Sequence, residues 1–121
     1  NTPTVLILES GDRRIGATHG GGGAYQEVTR RALRQIRAMD SDPLHAVLYG
    51  HTHVPALETG EEGILFFNPG SLGHPRQFWR DDGHPPVSSV GTLEISESGF
   101  QFRHHFFPNS EKNEYHLLSC V

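Results

Sequence analysis

The stretch Ala24–Met39 constrains the fold most, because Val28, Ala32, Ile36 and Met39 recur at steps of four, four and three. That spacing draws one apolar stripe along an amphipathic helix of about four turns. Upstream, Thr4–Glu9 is short, apolar and β-branched at its start, and Ser10-Gly11-Asp12 signals a turn before Arg13–Thr18. The pair reads as a hairpin or two adjacent strands. Downstream, Asp40-Ser41-Asp42-Pro43 stops the helix, and Leu44–Tyr49 holds the clean apolar run Ala46–Tyr49, suited to a strand buried on both faces. Strand, helix and strand across residues 13–49 predict a right-handed βαβ crossover, with loops at the strand ends where chemistry often sits. Arg30, Arg31, Arg34 and Arg37 lie off the apolar stripe, and the spacing predicts a solvated face for them rather than a phosphate site.

Beyond residue 53 the pattern changes. Val54–Thr59 and Ile64–Phe67 flank Gly60-Glu61-Glu62-Gly63, a short hairpin connection, and Asn68-Pro69-Gly70-Ser71 is the next turn. This half is expected to be antiparallel. Residues 73–89 carry glycines and prolines without periodicity and read as a long loop. Val90–Ile95 and Phe100–Phe107 form a final hairpin, and the polar tail from Asn109 is expected to be loose. The fold class is α/β (α+β), with one domain over residues 1–108 and a tail over 109–121.

Composition removes several functions. A chain of 121 residues carries one domain at most. Its formal charge of −4 argues against a dedicated nucleic-acid surface, which needs a basic excess to exchange for counterions. No window approaches the roughly 20 apolar residues of a membrane helix. Cys120, the single cysteine, has no partner within the chain for a disulfide. With no basic-then-apolar leader at Asn1-Thr2-Pro3-Thr4, the expected compartment is the cytoplasm. A first residue other than Met points to a fragment or a processed product.

The nine histidines are the anomaly. His51-x-His53 follows the buried strand directly, and in an extended segment residues two apart face the same way, so both imidazoles reach one metal ion or a close pair. Gly50 and Pro55 frame the pair. His19 stands at the equivalent end of the preceding strand, before Gly20–Gly23, and strands of one βαβ unit lie close, so three histidines converge. His45, His104, His105 and His116 have no metal spacing and are expected at surface or edge positions. His74 and His84 lie in the long loop and stay undecided between substrate contact and solvent.

Thr18-His19-Gly20, then Gly50-His51-Thr52-His53 after an apolar strand, then Asn68-Pro69-Gly70-Ser71 after a second one, resemble the C-terminal part of a calcineurin-like metallophosphoesterase. The spacing is most similar to the small YfcE-like phosphodiesterases. The resemblance implies two mixed β-sheets packed as a sandwich and flanked by helices. It implies a dinuclear centre of Mn, Ni, Fe or Zn, with His19 and His51 on one ion and His53 on the other. It also implies hydrolysis of small phosphate esters or nucleotides by a metal-bound hydroxide.

The family pattern opens with Asp-x-His, Gly-Asp and Gly-Asn motifs that supply the bridging carboxylate and further ligands, and none stands at the matching place in this chain. Asp82-Gly83-His84 lies in the long loop and reads as coincidence. About the first third of the domain is therefore expected to be missing, which leaves a sheet edge for a second copy or a partner chain. Two readings follow: a metal-dependent phosphoesterase, or a non-catalytic scaffold of the same fold, as in the family's member within the retromer sorting complex.

Overall fold

The computed structural model describes residues 4–75, 87–107 and 117–120. They divide into two compact units, Asn1–Thr52 with Leu57–Phe67, and His53–Ala56 with Asn68–Val121.

The first unit is built on a five-stranded sheet. Strands β1 (Val5–Ser10) and β2 (Arg13–Thr18) form an antiparallel hairpin in register from Val5↔Thr18 to Ser10↔Arg13. Helix α1 (Val28–Met39) then carries the chain to β3 (Ala46–Leu48), which pairs parallel with β2 through Ile15↔Ala46 and Ala17↔Leu48. The expected strand–helix–strand connection between parallel neighbours is therefore present. Strands β4 (Ala56–Thr59) and β5 (Leu65–Asn68) complete the order β1-β2-β3-β5-β4. The expectation of a purely antiparallel second half fails at β5, which pairs parallel with β3. The connection over Gly60–Gly63 forms the tight link between β4 and β5, but β5 inserts beside the buried β3, where its Phe66 and Phe67 lose their exposure to water.

The helix starts later than its periodicity suggests. Tyr25–Glu27 forms a tighter 3-10 turn in which the Glu27 N–H donates to the Ala24 carbonyl, and α1 proper begins at Val28. No Ser, Thr, Asp or Asn occupies the cap position, so no side chain captures the first orphan amides there. At the other end Asp40 turns extended while its N–H still reaches the Ile36 carbonyl. The Asp40 carboxylate accepts from the Asp42 N–H at 3.0 Å and pairs with the Arg14 guanidinium at 2.6 Å. The backbone bond first, and Arg14 after it, hold its pKa below the usual carboxylate value despite some desolvation.

Val28, Ala32, Leu33 and Ile36 form the buried face of α1 and pack with Leu44, Val47, Tyr49, Ile64 and Phe66, against which Val5 and Ile7 also lie. Met39, counted in the stripe, is 62% exposed because it occupies the last helical position. On β1 the alternation leaves Leu6 and Leu8 exposed.

The second unit holds an antiparallel sheet in the order β6-β7-β8, from β6 (Ser88–Ser96), β7 (Gly99–Phe107) and β8 (Leu117–Cys120). The expected final hairpin is β6–β7, longer by three residues on β6 and by one on β7. The tail expected to be loose contributes β8, whose backbone pairs with β7 through Phe102↔Cys120 and His105↔Leu117. Phe100, Phe102 and His104 alternate along β7 as its buried residues.

Candidate metal centre

Parallel pairing of β2 and β3 brings their C-terminal exits side by side. The Gly50 N–H donates to the His19 carbonyl at 3.1 Å just beyond the ladder, and the Tyr49 N–H donates to the Phe67 carbonyl at 3.0 Å. His19 and His51 project from these exits, and their rings meet edge-on with centroids 5.4 Å apart at 83°. Tyr25 also packs edge-on with His51, with a ring-centroid separation of 4.9 Å.

Glycine makes this approach possible. A Cβ added at Gly21 would lie 3.1 Å from His19 Cδ2 and 3.4 Å from His51 Nδ1, and one at Gly50 would lie 3.3 Å from His19 Nδ1. The backbone at the motif is unusual as well, since His51 and His53 both take positive φ, 69° and 63°. Left-handed backbone at residues bearing a Cβ costs on the order of 1–3 kcal/mol each and concentrates at functional sites. Between them Thr52 is buried, its N–H donating to the Gly50 carbonyl at 2.8 Å.

The loop between His19 and α1 is held from the helix. Arg31 Nε donates to the Gly20 carbonyl at 2.7 Å and Nη1 to the Ala24 carbonyl at 3.1 Å. Gln35 Nε2, one turn later, donates to the Gly21 carbonyl at 3.2 Å. His51 Nε2 lies 3.2 Å from the Gly23 carbonyl. A carbonyl only accepts, so Nε2 carries the proton in this arrangement. Arg31 thus departs from the expectation of a solvated arginine face: the glycine loop folds back over its side of the helix.

His53 belongs to the second unit. Its Nδ1 lies 2.8 Å from the His74 carbonyl, and the two rings stack with centroids 6.2 Å apart. The His74 N–H donates to Ser71 Oγ at 2.9 Å. Asn68 Oδ1 accepts from the Gly70 N–H at 2.9 Å, and Ser89 Oγ donates to the Pro69 carbonyl at 2.8 Å. A Cβ at Gly70, where φ is +84°, would collide with Ser89 Oγ. His104, expected at a surface or edge, is instead 3% exposed, with Nε2 donating to the Asn68 carbonyl at 2.7 Å. Burial pushes its pKa below the ordinary histidine value, and the Asn68 bond offsets only part of that. His45 is exposed and accepts from the Arg14 N–H at Nδ1, and His105 meets Thr92 Oγ1 at 3.0 Å. His84, His116 and the Asp82-Gly83-His84 segment lie outside the described residues.

Of the three expected ligands, the structure sets His19 and His51 together in the first unit and places His53 beside His74 in the second. Two imidazoles with a glycine-lined gap suit part of a divalent-ion site. Among the described residues, however, no group of three or more His, Cys, Asp or Glu side chains is placed to hold an ion. A bridged pair of ions needs a carboxylate, and the described residues do not make the complete centre. No helix among them is long and apolar enough to cross a membrane.

The family model of the calcineurin-like phosphoesterase superfamily domain matches residues 1–98. The chain belongs to the calcineurin-like phosphoesterase superfamily. Its fold is similar to that of Vps29 from Entamoeba histolytica in complex with zinc, with a TM-score of 0.66 at 22% identity over 96% of this chain and 59% of that one. A predicted phosphoesterase from Streptococcus pneumoniae is similar with a TM-score of 0.59 at 26% identity, over 96% of this chain and 62% of that one. Vps29 from Chaetomium thermophilum gives a TM-score of 0.68 at 16% identity, over 96% and 59% of the two chains. The chain thus spans less than two thirds of each of these proteins. Comparison with curated protein sequences finds no match.

Proposed function

We propose that this chain supplies the histidine side of a divalent-metal centre in a phosphoesterase acting on small phosphate esters or nucleotides. The observation that carries the reading is the meeting of His19 and His51 at the exits of two adjacent parallel strands, across a gap that glycine keeps clear. Structural backbone turns have no need to hold two imidazoles edge-on, and the strained conformation at His51 fits a position kept for its side chain. His53 is assigned as a further ligand on the Gly-His-Thr-His motif. The His74 carbonyl supports this by engaging Nδ1, which leaves the lone pair of the neutral ring on Nε2. A bound divalent pair supplies a hydroxide at neutral pH and offsets charge on the phosphoryl oxygens. Imidazole donors accept Mn, Ni, Fe and Zn alike, and zinc accompanies the Entamoeba relative. Cytoplasmic location belongs to the same proposal.

A second reading, a scaffold of the same fold that docks a partner chain or another copy, is favoured by one observation. Edge strand β1 presents Leu6 and Leu8 at 60% and 51% exposure. Hydrolysis of bis(p-nitrophenyl) phosphate with Mn²⁺, by the wild-type chain and by its His51→Ala/His53→Ala variant, separates the two. Turnover lost in the variant supports the phosphoesterase. Turnover that survives both substitutions overturns the ligand assignment, and no turnover by either protein favours the scaffold.

A further inference from the structure

The loop that follows His19 contains four consecutive glycines, Gly20–Gly23, with φ of +83° at Gly20 and +100° at Gly22. Such a run has the largest conformational freedom to lose on folding and no side chains with which to fix itself. Its order comes from outside, and the α1 face above it supplies the donors. Arg31 uses two edges of its guanidinium on two loop carbonyls, those of Gly20 and Ala24, spanning the glycine run from end to end. Gln35 takes the Gly21 carbonyl between them. The remaining guanidinium nitrogen, Nη2, is buried without an acceptor among the described residues.

At the end of the run the Gly23 carbonyl engages His51 Nε2. Its position therefore decides which nitrogen of His51 carries the proton. With Nε2–H given to the carbonyl, the lone pair of the neutral ring lies on Nδ1, the atom nearest the space beside Gly21 and His19.

We infer that Arg31 is a positioning residue for His51: by bracing Gly20–Ala24 it sets the Gly23 carbonyl, which holds the His51 ring in its Nε2–H form with Nδ1 directed toward His19. The inference rests on the reading of His51 as a metal ligand and extends it to the helix that orients the ring. Planar, forked recognition of two carbonyls is a property of arginine that lysine lacks.

The test uses the ¹⁵N-labelled full chain, free of metal, at pH 8, with the two-bond ¹H–¹⁵N spectrum of the His51 ring read in the wild type, Arg31→Lys and Arg31→Met. A dispersed backbone amide spectrum certifies that each variant is folded, and Arg31→Lys carries the test if Arg31→Met does not fold. The expected result is a clean Nε2–H pattern in the wild type, a mixture of both tautomers in Arg31→Met, and an intermediate mixture in Arg31→Lys. Zinc affinity is expected to fall on the order of 10-fold in Arg31→Met, the usual effect of removing an outer support of a ligand. Folded variants that keep the wild-type Nε2–H pattern overturn the inference. A tautomer shift without a change in zinc affinity supports the positioning role and counts against His51 as a ligand, so the two ideas fail separately.

Discussion

Gly16 lies in the middle of β2 under the buried face of α1, and replacing it with alanine tests how tightly strand and helix are fitted. A Cβ at this position would stand 2.9 Å from both Cδ1 and Cγ2 of Ile36 and 3.4 Å from its Cγ1. Carbon atoms rest at about 3.5–4.0 Å, so the methyl overlaps its neighbours by several tenths of an ångström. Rotation about χ2 moves Cδ1 away but leaves Cγ2, which branches from Cβ and is held by the one χ1 rotamer that isoleucine favours in a helix. Ile36 is 0% exposed and packed in the core. Overpacking of this kind costs about 1–3 kcal/mol, and replacing a strand glycine returns about 0.5–1 kcal/mol. The net expectation is a loss of about 0–2.5 kcal/mol for Gly16→Ala. Ile36→Ala alone should cost about 2–5 kcal/mol through its cavity. Combined, the methyl at 16 occupies part of that cavity, so the double variant should be at least about 1 kcal/mol more stable than the sum of the single losses. Urea unfolding followed by circular dichroism measures each value, with slopes of roughly 1–3 kcal/mol/M turning 1.5 kcal/mol into a midpoint shift of about 0.5–1.5 M. A Gly16→Ala protein more stable than the wild type, or additive losses in the double variant, refutes the argument.

Three further outcomes are expected. His104 has a folded-state pKa below its ordinary 6.5 because it is buried, so the unfolded chain binds its proton more readily. Its contribution is then complete above about 6.5 and lost as pH falls below it, and His104→Gln should flatten the dependence of the urea midpoint between pH 8 and 5; parallel slopes would sink this. Tyr49 is pushed up to about 12, by burial first and the Glu58 carboxylate second, so absorbance at 295 nm should show a late step that vanishes in Tyr49→Phe, and loss of a step near 10 instead contradicts it. Gly21→Ala places a methyl 3.4 Å from His51 Nδ1, and calorimetric zinc titration should show affinity reduced on the order of 10-fold in a folded protein. Wild-type affinity would mean that the gap between the rings is not where an ion sits.

The crossover from Arg13 to Tyr49 was legible because two local signals agree there: helical spacing from Val28 to Ile36, and an unbroken apolar run at Ala46–Tyr49. From that frame the convergence of His19 and His51 followed, since parallel neighbours must exit on the same side. The place of β5 was not legible, because a hairpin to β4 says nothing about which other strand it will join. Arg31 was misread for a related reason: a helical wheel reports which residues avoid the core, and it is blind to a loop that folds back over the polar side. His104 did leave a signal, the alternation of Phe100, Phe102 and His104 along one strand face, whose weight was missed because its third member is polar. β8 carries little pattern of its own, and its pairing with β7 is a tertiary outcome.

The parallel pairing of β2 and β3 also makes the meeting of the two rings a property of the folded chain alone. No hairpin can join parallel strands, so the ladder from Ile15↔Ala46 to Ala17↔Leu48 closes a loop that contains the glycine run and the 12 residues of α1. His19 and His51 stand at the two ends of that closure. An ion gripped by both rings therefore has the folded chain as its partner, and it raises stability with its concentration by mass action.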